Sequence, residues 1–491
     1  MITHLMIYPS NEVFVRVDGE AHIIEELSDY FTFEVPGCQF TPLFRQKLWD
    51  GKIRLLNRRW NQLYRGLIPH IVKFCIEREY IYEIDPSLIS YLPGPDEETG
   101  WAESFIKTLN MPHVPRDYQL QSFIQAIQHR RILVISPTAS GKSLVLYMIV
   151  RYLQHLGLPH VLLIVPTTNL VEQLYTDFAS YGWDLEPWVH RQYQGHAKST
   201  KKFLTISTWQ SIYMLEAEYF AQFEAVLGDE CHQYKAKSFK YIMESVIHAR
   251  YRIGCTGTLD GTKTHAMVLE GLFGHVFRAT TTKKLIASQQ VSELNIKCLV
   301  LKYSKEDAKA AMKLDYPNEM KFLLDHEARM RVVTNLALSL KGNTLVLFQF
   351  VARHGEILFR TLKLAADSGR HVFFVFGDTA TIERESIRHI VEREENAIIV
   401  ASYGTFSTGI NIKRLHNVIF SSPSKSVIRV LQSIGRGLRR TDDKDTMTLY
   451  DIVDDLRSGK HTNFTLKHFM KRVEIYNAEQ FPYKLYPIDL P

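Results

Sequence analysis

The sequence has no apolar run near the ~20 residues that a membrane-spanning helix needs, so no membrane partner is expected. It is also poor in cysteine. The five residues Cys38, Cys75, Cys231, Cys255 and Cys298 are scattered and odd in number. That pattern argues against a disulfide framework or a cysteine-rich zinc site, and it fits a reducing, cytoplasmic compartment. Met1-Ile2-Thr3-His4 lacks the basic stretch and apolar segment of a secretory signal, so none is expected. Repeats and low-complexity tracts are missing too, which speaks against solenoids and disordered arrays. Neither sign of charge dominates. With 59 Lys and Arg against 53 Asp and Glu, the net charge is +6; this admits a nucleic-acid partner without requiring one. At 491 residues and 45% hydrophobic, the chain can build several folded domains.

The most informative segment is Pro137-Thr138-Ala139-Ser140-Gly141-Lys142-Ser143, directly after the apolar run Ile132-Leu133-Val134-Ile135. A buried strand enters a small-residue loop that ends in Gly-Lys-Ser, and an apolar stretch from Leu144 follows. Such a loop turns backbone N–H groups and a helix N-terminus toward a polyphosphate. Lys142 is placed for the β- and γ-phosphates and Ser143 for Mg²⁺. The loop lacks the usual first glycine, since Ser136 stands there, and Ala139 lacks the freedom of glycine to take a positive φ.

Residues 1–90 read as a compact mixed domain, and the turn-rich Leu92-Pro93-Gly94-Pro95 as a linker. From about 115 to 285, short apolar runs at 131–135, 160–165, 203–206, 225–228 and 251–255 alternate with helical spacing. From 296 to 452 the pattern recurs, with strands expected at 298–303, 344–349, 371–376, 397–401, 417–420 and 446–450. Two parallel-sheet α/β units therefore stand in tandem. The last stretch carries helical patterning until Phe481-Pro482-Tyr483 breaks it.

Asp229-Glu230-Cys231-His232 follows the apolar run Ala225-Val226-Leu227. A carboxylate at the C-terminal end of a parallel strand lies on the ligand-binding edge of its sheet. Asp229 is placed to hold Mg²⁺, and Glu230 to polarise the attacking water. In the second unit, Gln432-Ser433-Ile434-Gly435-Arg436-Gly437-Leu438-Arg439 puts two arginines three apart, on one helix face. Arginines so placed can stabilise charge on a γ-phosphate. An acidic helix cap and a solvated basic face are the plainer readings of these two motifs. The spacing of Asp229-Glu230 from Gly-Lys-Ser, with His232 following, and the small residues flanking the arginines favour the catalytic one.

In this order the motifs resemble the superfamily 2 helicases and translocases, over roughly residues 115–445. The resemblance implies two RecA-like lobes, with ATP and Mg²⁺ as cofactors. Pro115-Arg116-Asp117-Tyr118-Gln119 is similar to the adenine-reading Q motif, which implies an adenine contact for Gln119, with Arg116 also among the cofactor-binding residues. Residues 136–143 are similar to motif I. Val165 to Gln173 resembles motif Ia, and Ser207-Thr208-Trp209-Gln210 the next strand-contacting motif; these imply nucleic-acid contacts near Thr168 and Thr208. Thr256-Gly257-Thr258 matches coupling motif III with Gly for the usual Ala. Leu347 to Phe350 is similar to motif IV. Thr405 to Asn411 resembles motif V, implying a strand contact at Thr405 and nucleotide contacts at Gly409 and Asn411, with Asn411 where Asp is usual. Gln432 to Arg439 matches motif VI.

Residues 41–66 hold Arg45, Lys47, Lys52, Arg54, Arg58, Arg59 and Arg65 against one acid, Asp50, with Phe44, Trp49, Trp60 and Tyr64 interleaved. Basic groups can bind phosphates, and aromatics can stack on bases or wedge a junction. The bland alternative is that Trp49 and Trp60 fill a small core. The string from Phe31 to Gly37, through Trp49-Asp50-Gly51-Lys52-Ile53-Arg54, to Tyr64-Arg65-Gly66-Leu67 resembles the N-terminal domain of the recombination-helicase family of the T-even bacteriophages. That resemblance implies a monomeric motor in the host-cell cytoplasm that remodels forks, Holliday junctions, D-loops and R-loops. RNA–DNA hybrids and a single-strand-binding or recombination protein would be its further partners.

The expected architecture is thus α/β. An N-terminal α+β DNA-binding domain (1–90) precedes lobe 1 with the ATP site (91–290) and lobe 2 with the arginine fingers (291–452). A short helical extension (453–491) ends it. The N-terminal domain is expected to be removable, leaving a soluble motor. Three other readings compete. One is an RNA helicase, and one is a binder with a decayed loop. The third is a nuclease motor, whose metal triad would have to come from Asp315, Glu319 and Lys321.

Overall fold

The computed structural model describes residues 4–35, 37–91, 99–193, 201–233, 236–259, 262–409, 412, 414–422, 426–438, 444–459 and 461–490. Its packing divides the chain into two units, Met1–Ser136 with Gly141–Ala279, and Pro137–Ser140 with Thr280–Pro491.

The first unit begins with β1 (Leu5–Pro9), β2 (Phe14–Gly19), β3 (Thr32–Glu34), β4 (Lys52–Arg54), β5 (Gln62–Tyr64) and β6 (Tyr82–Ile84). Four of them form a sheet in the order β5-β2-β1-β6, while β3 and β4 pair apart as an antiparallel ladder. Period-two alternation explains the sheet. Leu5 and Ile7 of β1 and Val15 and Val17 of β2 are buried, and their neighbours are more exposed. Helices Ala21–Tyr30 and Ile68–Glu77 add Ile23, Leu27, Ile71 and Phe74 to the same core.

That core does not close on itself. It continues into Leu133, Leu162, Phe220, Phe239 and Phe273 of the following domain. Polar contacts reinforce the junction. Tyr64 donates to Glu244 at 2.8 Å. The Glu12 carboxylate pairs with Arg65 at 3.0 Å and Arg131 at 2.7 Å, and His70 pairs with Glu270 at 3.0 Å. Gly66 lies so close to the helix Lys263–Phe273 that a Cβ there would overlap the Glu270 and Gly271 carbonyl oxygens. The shared core argues against the expectation of a removable module, because deleting 1–90 would strip one of its faces.

The next sheet comprises β7 (Arg131–Ile135), β8 (Val161–Val165), β9 (Val189–Gln192), β10 (Leu204–Thr208), β11 (Ala225–Gly228), β12 (Tyr251–Thr256) and β13 (His275–Arg278). All are parallel, in the order β13-β7-β12-β11-β8-β10-β9. The inner strands are buried residue by residue, as strands covered on both faces are. Helices that include Asp117–His129, Lys142–His155 and Thr168–Ser180 cover one face. The shared core covers the other.

The second unit repeats the plan with β14 (Glu293–Lys302), β15 (Thr344–Phe348), β16 (Val372–Val375), β17 (Ile398–Ser402), β18 (Asn417–Phe420), β19 (Thr446–Asp455) and β20 (Tyr483–Asp489). Its parallel order is β16-β17-β15-β18-β19-β14-β20. The C-terminal extension is the helix Phe464–Ala478 followed by β20, which pairs with β14 over Ile296–Lys302. Buried charges tie this region together. Arg329 bonds Asp454 at 2.7 Å, and Arg472 bonds Asp451 at 2.8 Å. Glu319 is fully buried and accepts from Asn463, Phe464 and Thr465. Asp315 caps its helix through Asn318 N–H. The nuclease reading of Asp315, Glu319 and Lys321 therefore fails, since the acids serve as scaffold.

Candidate ATP site and nucleic-acid interface

Except for the Q motif, which opens the helix Asp117–His129, the lobe 1 motifs lie at the C-terminal ends of β7, β8, β10, β11 and β12, the ligand-binding edge of such a sheet. After β7 the chain turns through Pro137–Ser140 into the helix from Lys142. Ala139 adopts φ 68° and Gly141 φ 79°. The loop thus forms without its usual glycine, but Ala139 bears the cost of a left-handed conformation, about 1–2 kcal/mol for an L-residue. At Gly141 a Cβ would also meet the Gln119 amide and displace it from its place on the loop.

Gln119 is buried and accepts from Arg116 N–H at 2.9 Å. Its amide donates to the Gly141 carbonyl at 3.4 Å. The residue expected to read adenine is therefore also a brace on the phosphate loop. Arg116 stays exposed, bonded to the Tyr118 hydroxyl at 3.0 Å. Lys142 Nζ reaches the Ser136 carbonyl at 3.3 Å and Glu230 Oε1 at 3.4 Å. Ser140 and Leu144 are buried, and Thr138 is half-buried. The Ser143 hydroxyl lies 2.9 Å from the Tyr181 hydroxyl, a partner outside every motif. Burial pushes the Tyr181 phenol up to about 12, so it stays protonated.

Glu230 is the second non-glycine residue of the site in the left-handed region, at φ 49°. Strain of this kind costs about 1–3 kcal/mol and persists where surroundings over-determine it. Here Glu230 N–H donates to Asp229 Oδ1 at 2.9 Å, and Asp229 N–H to the Ile164 carbonyl at 2.9 Å. The Glu230 carboxylate faces Lys142, His232 at 3.4 Å and the Gly257 N–H at 3.5 Å. His232 Nδ1 meets Thr256 Oγ1 at 2.6 Å, and Thr256 Oγ1 donates to the Thr258 carbonyl at 2.9 Å. With that proton spent, His232 Nδ1–H is the donor to Thr256. Ser136 N–H bonds the Thr256 carbonyl at 2.9 Å. Since β12 lies between β7 and β11, motif III touches both phosphate motifs. Burial raises the Cys231 and Cys255 thiols well above their usual range, so neither is a nucleophile here.

The three threonines expected to grip a strand differ. Thr168 is exposed at the start of its helix. Thr208 is buried and bonds Ser211 at 2.8 Å; Thr405 is buried and bonds Ser402 at 2.7 Å. Both hydroxyls serve local turns, which leaves Thr168 as the outward side chain. Arg436 is half-buried in the last turn of the helix Val427–Gly437. Gly409 ends the helix Tyr403–Gly409, while Asn411 and Arg439 lie outside the described residues.

In the N-terminal domain, Arg45, Lys52, Arg58 and Arg59 are all exposed. Trp60 is exposed as well, beneath the Arg59 guanidinium at 5.1 Å, so it is no core residue. Trp49 is half-buried, with its indole N–H on the Lys52 carbonyl at 2.9 Å. Tyr64, expected among the DNA-facing aromatics, is buried at the junction with lobe 1.

Family profiles match along the chain. That of the UvsW DNA helicase N-terminal domain covers residues 10–85, the type III restriction enzyme res subunit 112–261, and the helicase conserved C-terminal domain 328–441. The ATP-dependent DNA helicase UvsW of Enterobacteria phage T4 is 33% identical over 496 residues, 97% of this chain and 98% of its own. The chain belongs to the UvsW family. The crystal structure of T4 UvsW superposes with a TM-score of 0.52 at 30% identity, over 100% of both chains. A DNA 3′-5′ translocase, XPB2 of Sulfurisphaera tokodaii, is 24% identical over 44% of this chain and 47% of its own. Like its family, this UvsW-type protein is an ATP-dependent DNA helicase of superfamily 2. No described helix is long and apolar enough to cross a membrane.

Proposed function

We propose that this helicase uses ATP hydrolysis to remodel branched DNA, namely forks, Holliday junctions, D-loops and R-loops, in the host-cell cytoplasm. The observation that carries this reading is the fusion of a basic domain to the lobe that carries the phosphate loop, through one continuous core. A DNA-binding surface so joined moves with its motor lobe instead of trailing from it.

Lys142, with the backbone of Thr138, Ala139, Ser140, Gly141 and Leu144, would take the phosphates. Arg116 and Gln119 would take the base. Glu230 would orient the attacking water, and the path from Glu230 through His232 to Thr256 would report the phosphate state to motif III. Ser143 and Asp229 are oxygen donors of the kind Mg²⁺ takes; when bound there, the ion would offset charge on the β- and γ-phosphates. Arg436 and Arg439 would stabilise transition-state charge, and Gly409 and Asn411 would belong to the nucleotide-contacting set. Thr168 and the backbone around Thr208 and Thr405 would hold one strand's phosphates. Arg45, Lys52, Arg58 and Arg59 would hold the branch. A monomer suffices, and RNA–DNA hybrids or a single-strand-binding or recombination protein would be further partners.

The test is steady-state ATPase activity with forked DNA, linear duplex, single strands and RNA as separate activators. Forked DNA should stimulate most. Equal or greater stimulation by RNA would overturn the reading.

A further inference from the structure

Between β3 and β4 the chain leaves the body of the N-terminal domain as a built loop. Its base is closed by Val35 N–H on the Gly51 carbonyl at 2.8 Å. Cys38 and Phe44 fill its inside, where a Cβ at Gly51 would lie 2.7 Å from Cys38 Sγ and 3.0 Å from the Phe44 ring. Thr41 caps the short helix Pro42–Arg45 through Phe44 N–H at 3.4 Å. Trp49 closes back on Lys52.

This folded loop turns its apolar residues outward. Phe40 is 69% exposed, Leu43 52% and Leu48 72%. None belongs to a core cluster among the described residues. A groove of about 630 Å³ runs beside Leu48, lined also by Phe44, Arg45, Lys47 and Trp49. The surrounding charge is mostly positive, against Asp50, which also lines the groove, and Glu34, opposite Lys52 in the β3–β4 ladder. Asp50 is neutralised by Arg54, and Arg45, Lys47 and Lys52 stand exposed. Cations beside an apolar tip match one ligand closely: two phosphate backbones flanking a base step that can be unstacked.

We infer that Phe40, Leu43 and Leu48 form a wedge that enters the first base pair at a DNA branch, with Arg45, Lys47 and Lys52 on the flanking phosphates. This deepens the branched-DNA reading and rests on it. The junction with lobe 1 makes the wedge fixed to the motor lobe, so force on the strand is delivered at the branch.

The experiment uses the full chain and a fork with 2-aminopurine at the branch pair. Leu43→Ser/Leu48→Ser, and Leu48→Ser alone, should keep the melting temperature and single-strand-stimulated ATPase within about twofold. The 2-aminopurine rise on binding should fall sharply, since Phe40 alone remains of the wedge in the double variant, and fork unwinding should fall ~10-fold, as expected if an apolar wedge is removed. Arg45→Ala/Lys47→Ala should instead weaken fork affinity and lower the salt slope by about two. Wild-type fluorescence and unwinding in both leucine variants would overturn the wedge, leaving an acidic peptide as the occupant to seek. Loss of single-strand ATPase in step with unwinding would also overturn it. If the wild-type chain is not stimulated by forks at all, the broader reading fails instead.

Discussion

Replacing Gly66 by alanine puts a methyl group into the junction between the N-terminal domain and lobe 1. The new Cβ would lie against the Glu270 carbonyl oxygen and 2.6 Å from that of Gly271. Both obstacles are backbone of the helix Lys263–Phe273, so no side chain can rotate away. The helix cannot retreat freely either, because its Gly271 packs on the Tyr64 ring, where a Cβ would be only 2.9 Å away. Overpacking of this kind costs about 1–3 kcal/mol. For a unit this large, each kcal/mol lowers the melting temperature by about 2–4 °C, so a fall of roughly 3–10 °C is expected. Tyr64→Phe keeps the ring but loses the bond to Glu244, and should cost about 0.5–1.5 kcal/mol. Gly100→Ala is the control, since nothing lies within 4 Å of its Cβ position. Thermal unfolding followed by circular dichroism reads all three. A Gly66→Ala protein that melts with wild type would refute the shared core, as would a soluble, cooperatively folded chain lacking residues 1–90.

Ala139→Gly should relieve the left-handed strain already present in the phosphate loop and raise stability by up to about 1 kcal/mol, less glycine's entropy cost; a melting temperature lower than wild type would show that Ala139 bears no strain. Acid should destabilise lobe 1 through His275, whose pKa is lowered to about 4 by burial and the neighbouring His129, against a partial offset from Glu270. The unfolded chain then binds more protons than the folded one below its own pKa near 6.5, so stability is full above about 6.5 and declines toward pH 4; His275→Phe should flatten melting temperature against pH in that window, and an unaltered profile would exclude it. Arg436→Lys should bind ATP almost normally and hydrolyse it poorly, because lysine lacks the planar fork; lost binding with intact hydrolysis at saturation would contradict that role.

The inner strands of both lobes could be read because each is apolar at every position, and that signal is local. Strands β9 (Val-His-Arg-Gln) and β13 (His-Val-Phe-Arg) escaped it, being short, half polar and at sheet edges. So did β20, an edge strand with exposed positions and a proline, Pro487, that an edge tolerates. The placement of the candidate phosphate-site residues was legible because they follow strand ends in a fixed order. Tyr181 was not, since its link to Ser143 joins segments with no shared motif. Tyr64 was misread for the same reason: its partners Glu244 and Gly271 are far along the chain, and nothing near residue 64 announces them. The wedge residues could have been noticed as leucines standing inside a basic run between two left-handed glycines, Gly37 and Gly51.

Glu230→Gln tests the central claim most directly, because it removes the charge that faces Lys142 and His232 while keeping the side chain's shape. ATP binding and fork-stimulated ATPase should be measured together on this variant. The account predicts retained ATP and DNA binding, with turnover down ~10²-fold or more as the catalytic base is lost. ATPase near the wild-type rate would contradict it.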